Sequence, residues 1–184
     1  METGHEFFMH GMQDMLDAEN KLVEALGKQA KESSRPDLQK AFESHQKQTQ
    51  NQVERLKQAF ESIGESPEKT ECAGIKGLIE EHDNFKEEEP SADLMDIFNV
   101  EAGAKVERYE ITSYEGLVKL ARMMGHKKAE RLLSQNLKEE EATLRKLEKF
   151  SDKLKPENMG MDENDEKESA SSGRRRRTSG RRAA

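Results

Sequence analysis

The chain has 184 residues, enough for one domain and a tail, and carries 38 acidic against 31 basic side chains for a net charge of −7. Charged residues make up 38% and hydrophobic residues 32%, with no tryptophan and a single cysteine, Cys72. An internal disulfide is therefore excluded, no run approaches the ~18 apolar residues of a membrane span, and the acidic body does not invite nucleic acid.

So lean a composition borders on that of disordered chains. Regular apolar periodicity over the first ~150 residues argues for folded helices instead. A lean helical core also favours burying a second apolar stripe against a copy of itself, so a homodimer is expected. The N-terminal METGHEFFMHGMQD has no basic stretch followed by an apolar run and does not resemble a secretory signal. With one cysteine and no membrane partner, the expected location is the cytoplasm.

Residues 5–33 have the spacing of a long helix. Phe8, Met12, Met15, Leu22 and Leu26 form its stripe, with Glu19 in the slot between Met15 and Leu22. The Met1, Met9, Met12 and Met15 cluster suits packing, since no Cys or His array accompanies it. Ser33-Ser34-Arg35-Pro36 breaks the helix, and Pro36 suits the first turn of the next one, at 36–62. That second stripe runs Leu38, Phe42, His45, Thr49, Gln52, Leu56, Phe60 and Ile63, polar in its middle, and Gly64 is a natural stop.

After a loop at 65–73 comes a short helix at 74–88, ended by Pro90. Ser91 can cap a fourth helix running to about Met124, with Gly125 as its stop. Its apolar arc is wide: Leu94, Ile97, Phe98, Ala104, Val106, Ile111, Tyr114, Leu117, Val118 and Ala121. The last helix spans 127–153. Leu133, Leu137, Leu144 and Leu147 form its stripe, with Glu140 in the gap. An ionised carboxylate in such a stripe is costly unless it is paired, holds a metal or tilts to water.

The sequence carries no alternating strand pattern and no Gly-rich phosphate loop. Four long helices in two hairpins, joined by a connection with its own short helix, give an all-α, ferritin-like four-helix bundle with one crossover. The bundle is expected over residues 1–154. Residues 155–184 are expected to be a disordered, mixed-charge tail, whose Arg174, Arg175, Arg176, Arg177, Arg181 and Arg182 offer a nonspecific phosphate-binding surface.

Residues equidistant from an antiparallel turn lie level. With the turn at 125, Glu110 faces Glu140. With the first turn at 34–35, Glu19 lies level with the region of His45, Gln48, Thr49 and Gln52. Each long helix thus brings polar groups to mid-height, the arrangement of di-iron and di-manganese carboxylate bundles. The Glu-x-x-His pair of those bundles is missing here: Phe42 stands three residues before His45, and no histidine follows Glu140.

The stretches LDAENKLVEAL, AFESHQKQTQNQVERL, CAGIKGLIEE, VERYEITSYEGLVKLA and LKEEEAT resemble the YciE/YciF-like ferritin-like proteins, bacterial proteins linked to stress responses. The resemblance spans about residues 5–150 and implies the ferritin-like fold, a dimer and a metal site. Glu19, His45, Glu107, Glu110, Glu139 and Glu140 match its pattern. Three positions depart from it: Gln48 where the family has Glu, Arg108 where it has His, and Leu144 where it has Asp.

Two readings follow. In one, Glu19, His45, Glu107, Glu110 and Glu140 bind two ions of iron or manganese, with Gln48, Gln52, Arg108, Tyr114 and Leu144 as neighbouring or substituted positions. Ferroxidase- or peroxidase-like turnover is then the expected activity. In the other, the arginine, always protonated, neutralises the carboxylates through its planar fork and replaces the metal. The bundle is then a structural or interaction protein with no cofactor, with nonspecific nucleic-acid contact through its Arg-rich tail. No residue identifies a small-molecule substrate. Cys72 is expected to be structural. Tyr109 and Tyr114 are expected to pack with satisfied hydroxyls. His5, His10, His82 and His126 are expected at the surface or its edge.

Overall fold

A computed structural model describes residues 1–153, and five helices account for nearly all of them. Helix α1 spans Gly4–Glu32 and opens with a capping box, in which Thr3 and Glu6 satisfy each other's backbone amides. Helix α2, Pro36–Ser62, has proline at its first position, where no amide is needed. Helix α3, Ala73–Glu87, is the short element of the crossover. Helix α4, Ala92–Met123, is capped by Ser91, and α5 covers Lys127–Ser151. Gly64 and Gly125, just past the ends of α2 and α4, have φ of 78° and 75°, a conformation that side chains disfavour.

α1 packs on α2, and α4 on α5. The two hairpins meet through α1 with α4 and α2 with α5, while α3 lies against α4 and α1. No strand occurs among the described residues, and none of their helices is long and apolar enough to cross a membrane. The tail arginines, Arg174–Arg177, Arg181 and Arg182, lie outside the described residues.

The core comes in two apolar clusters. One gathers Phe8, Met12, Met15, Leu56, Phe60 and Leu133 with the ring of Tyr114. The other gathers Leu22, Leu26, Leu38, Phe42, Ile75 and Leu147. Each long helix also brings buried polar residues to a level between the two clusters: Glu19 in α1; His45, Thr49 and Gln52 in α2; Glu107 and Glu110 in α4; Asn136, Glu140 and Thr143 in α5.

Three expectations need correction. In α5, Leu137 and Leu144 are half-buried, and the inward stripe is Leu133, Asn136, Glu140, Thr143 and Leu147. Steps of three and four pass through polar residues that a stripe of leucines alone skips. In α4, Leu94 lies 39% exposed while Asp96 and Asn99 are buried. Asp96 accepts from the Ser34 amide (2.9 Å), the Ser34 hydroxyl (2.6 Å) and the Arg35 amide (3.1 Å). It thereby caps the α1–α2 turn from another helix, where Arg35 itself makes no side-chain cap. His82 is buried, with Nε2 2.7 Å from Asn99 Oδ1, because α3 folds that face onto α4.

Candidate metal centre

The polar layer holds four fully buried carboxylates, Glu19, Glu107, Glu110 and Glu140, and the imidazole of His45. They form two overlapping groups. His45, Glu107 and Glu140 offer ligand atoms within 4.8 Å of one another, and so do Glu19, Glu110 and Glu140. His45 Nε2 lies 3.4 Å from Glu107 Oε1 and 3.9 Å from Glu140 Oε2. Glu140, the acid in the gap of the last helix, belongs to both groups. The level rule placed it opposite Glu110, and the two do meet.

Neighbouring side chains hold one oxygen of two of these acids. The Tyr114 hydroxyl donates to Glu19 Oε1 and accepts from Asn136 Nδ2 at 2.9 Å. Gln52 Nε2 donates to Glu140 Oε1. The other oxygens of both acids, both oxygens of Glu107 and Oε1 of Glu110 are buried without a hydrogen-bond partner among the described residues. Native interiors rarely leave charged acceptors so. Burial first, and the neighbouring acids second, hold Glu19, Glu107 and Glu110 well above the usual carboxylate range. Burial and Glu19 likewise push the Tyr114 phenol up.

Arg108 does not enter this layer, so its replacement of a metal is overturned. Its side chain is 57% exposed, donates to the Ala104 carbonyl at 3.1 Å and pairs with Glu148 at 2.9 Å. Helical phase explains this: Glu107, Glu110 and Tyr114 share the inward face, and Arg108 is turned roughly 100° from Glu107. Gln48 is half-buried at the layer's edge, where its Nε2 donates to Thr143 Oγ1 at 3.3 Å. Leu144 lies off the layer, and Thr143 takes the inward position.

Sequence reasoning missed Arg55. Its side chain is 13% exposed, donates from Nε to Asn136 Oδ1 at 2.5 Å and pairs with Glu139. It thus fixes Asn136, which in turn holds Tyr114. The available signal was spacing, since Arg55 continues the polar part of the α2 stripe three residues after Gln52. Cys72 is buried with Sγ 2.9 Å from the Tyr109 hydroxyl, and its amide donates to Asp17 at 2.8 Å.

The donor set suits a hard or borderline divalent cation. One imidazole and four carboxylates are the ligands that iron and manganese take in carboxylate bundles. Their unpartnered oxygens converge, and the nearest described arginine, Arg55, is committed to Asn136 and Glu139.

An all-α bundle with one crossover and a buried carboxylate–imidazole layer at mid-height defines a ferritin-like helical protein. The chain belongs to the family described as domain of unknown function DUF892, whose model matches residues 3–159. It is similar to protein YciF of Escherichia coli K12, 38% identical over 144 residues that cover 78% of this chain and 87% of the relative. The crystal structure of the E. coli stress protein YciF superposes with a TM-score of 0.79 at 37% identity, covering 82% of this chain and 96% of that one. YcfI of Rhodopseudomonas palustris, named as a candidate structural protein, gives 0.78 at 35% identity over 80% of this chain and 94% of its own. A Xanthomonas campestris protein at 19% identity, with a TM-score of 0.63 over 82% of this chain and 92% of that one, shares the fold.

Proposed function

We propose that this chain is a dinuclear metal–carboxylate protein of a bacterial stress response, holding two ions of iron or, as the alternative, two of manganese. The observation that carries this reading is the set of unpartnered carboxylate oxygens of Glu19, Glu107, Glu110 and Glu140, buried together around His45. Burying that much unpaired acceptor costs several kcal/mol unless a cation or shared protons offset it.

In this reading His45 and Glu107 would hold one ion and Glu19 and Glu110 the other, with Glu140 common to both groups of ligands. Bound iron or manganese supplies Lewis-acid and redox chemistry toward dioxygen or peroxide. The chain's own contribution is orientation. Tyr114 fixes one oxygen of Glu19, Gln52 fixes one oxygen of Glu140, and Asn136 holds Tyr114 in place. The apolar clusters on either side keep bulk water out.

The test is manganese titration of metal-free protein followed by electron paramagnetic resonance. Two exchange-coupled ions give a broadened, temperature-dependent signal in place of the six-line spectrum of isolated manganese. A six-line spectrum of free manganese throughout would reject the reading. It would leave a metal-free bundle with shared protons in the layer, in a structural role such as the one YcfI is named for.

A further inference from the structure

A chain of hydrogen bonds runs from the edge of the bundle to Glu19. Arg55 Nε donates to Asn136 Oδ1 at 2.5 Å. Asn136 Nδ2 donates to the Tyr114 hydroxyl at 2.9 Å, and that hydroxyl donates to Glu19 Oε1. Every donor points toward Glu19, and α2, α5, α4 and α1 each contribute one member. Donors aligned in this way reinforce one another. The outer end is braced as well. The Arg55 guanidinium pairs with Glu139, whose side chain is 28% exposed, and Asn136 Nδ2 also donates to the Gln52 carbonyl at 3.3 Å. Asn136 cannot turn without breaking its bonds to Arg55, Tyr114 and Gln52.

The two groups of ligands are therefore held unequally. Glu19 enters its group with one oxygen fixed and the other free. Glu107 enters the other group with neither oxygen hydrogen-bonded among the described residues, and His45 Nε2 faces it across 3.4 Å. Glu140 is held by Gln52 but is common to both groups, so it does not distinguish them. A ligand oriented before the ion arrives loses less freedom on binding it, and outer partners of this kind change metal affinity by about 10- to 100-fold.

We propose that Arg55 is a positioning residue for the Glu19–Glu110–Glu140 group. Acting through Asn136 and Tyr114, it fixes the direction of the free Glu19 oxygen, so that this group takes the first divalent ion and the His45–Glu107–Glu140 group the second. That ions bind at all rests on the reading above; their order and the part of Arg55 do not follow from it.

The experiment adds manganese(II), at less than one equivalent, to metal-free full-length protein. Electron spin-echo envelope modulation then reads whether an imidazole nitrogen is bound to it. The Glu19 group offers carboxylates alone, and the other group offers His45. The wild type should show no imidazole modulation. Arg55→Met should weaken the first ion by about tenfold and bring the modulation in. Arg55→Lys, which keeps a charged donor, should fall between the two, with helicity equal in all three. Imidazole modulation in the wild type would overturn the order, whatever a variant's fold. Arg55→Met with the spectrum and affinity of the wild type would overturn the part given to Arg55. A wild type that binds no manganese would bring down the dinuclear reading itself, and this assignment with it.

Discussion

Glu107 of α4 and Glu140 of α5 come from the two arms of one hairpin and set ligand-type oxygens within 4.8 Å of each other, with His45 alongside. Two like charges this close in a dry interior do not both stay ionised unless something positive sits with them. Arg108, one residue from Glu107, points away from that need.

Arg108→Ala should therefore change little. Its ion pair with Glu148 is solvent-exposed, and such pairs contribute at most about 1 kcal/mol. Urea denaturation should show a loss below about 0.5 kcal/mol, and metal content should be unchanged. A loss of metal on this substitution would contradict the outward placement.

Tyr114→Phe removes a buried hydroxyl that donates to Glu19 and accepts from Asn136. Both partners are then left short, at a cost of about 1–3 kcal/mol. Thermal unfolding of the metal-free protein should move down by several degrees. The phenylalanine variant keeps the ring that packs with Phe8 and Leu133, so an unchanged midpoint would mean that the hydroxyl network contributes nothing.

Metal-free protein should lose stability as pH rises. Glu19, Glu107 and Glu110 have folded pKa values raised above the ordinary 4.5. Their favourable contribution is complete below that value and is lost as pH climbs through the raised ones. Exposed Glu6, Asp37 and Glu71 shift the other way, and their effect is already complete above about pH 5. Denaturation midpoints should fall as pH rises above about 5 without metal, while metal affinity should rise with pH as protons leave the ligands. A midpoint that rises with pH in the metal-free protein would contradict the assignment of buried, unpaired acids.

Asp96→Ala takes away three hydrogen bonds at the α1–α2 turn, two of them from backbone amides of Ser34 and Arg35. The expected cost is about 1–3 kcal/mol, read as a lower urea midpoint. Asp96→Asn, which keeps an acceptor but not the charge, should recover part of it.

The helices were legible because their punctuation is local. Pro36, Gly64, Pro90, Ser91 and Gly125 mark ends within a few residues of those observed. The polar layer was legible because antiparallel hairpins place residues by arithmetic, which brought Glu110 and Glu140 together. What failed depends on phase and on partners. Leu144 lies one residue off the inward line through Glu140 and Thr143, a difference that counting leucines does not reveal. The side on which Arg108 lies follows from helical phase once Glu107 and Glu110 are fixed inward. Arg55, Asn136 and His82 gain their roles from other helices, a tertiary fact with no local signature.

The central claim is that the mid-bundle acids hold two metal ions. Elemental analysis after anaerobic iron loading and desalting tests it most directly, on the wild type and on Glu140→Ala, whose residue belongs to both groups. The account predicts about two ions per chain in the wild type and a near-complete loss in the variant, with helicity retained in both. A wild type that retains no metal while fully folded, or a variant that retains as much as the wild type, would contradict it.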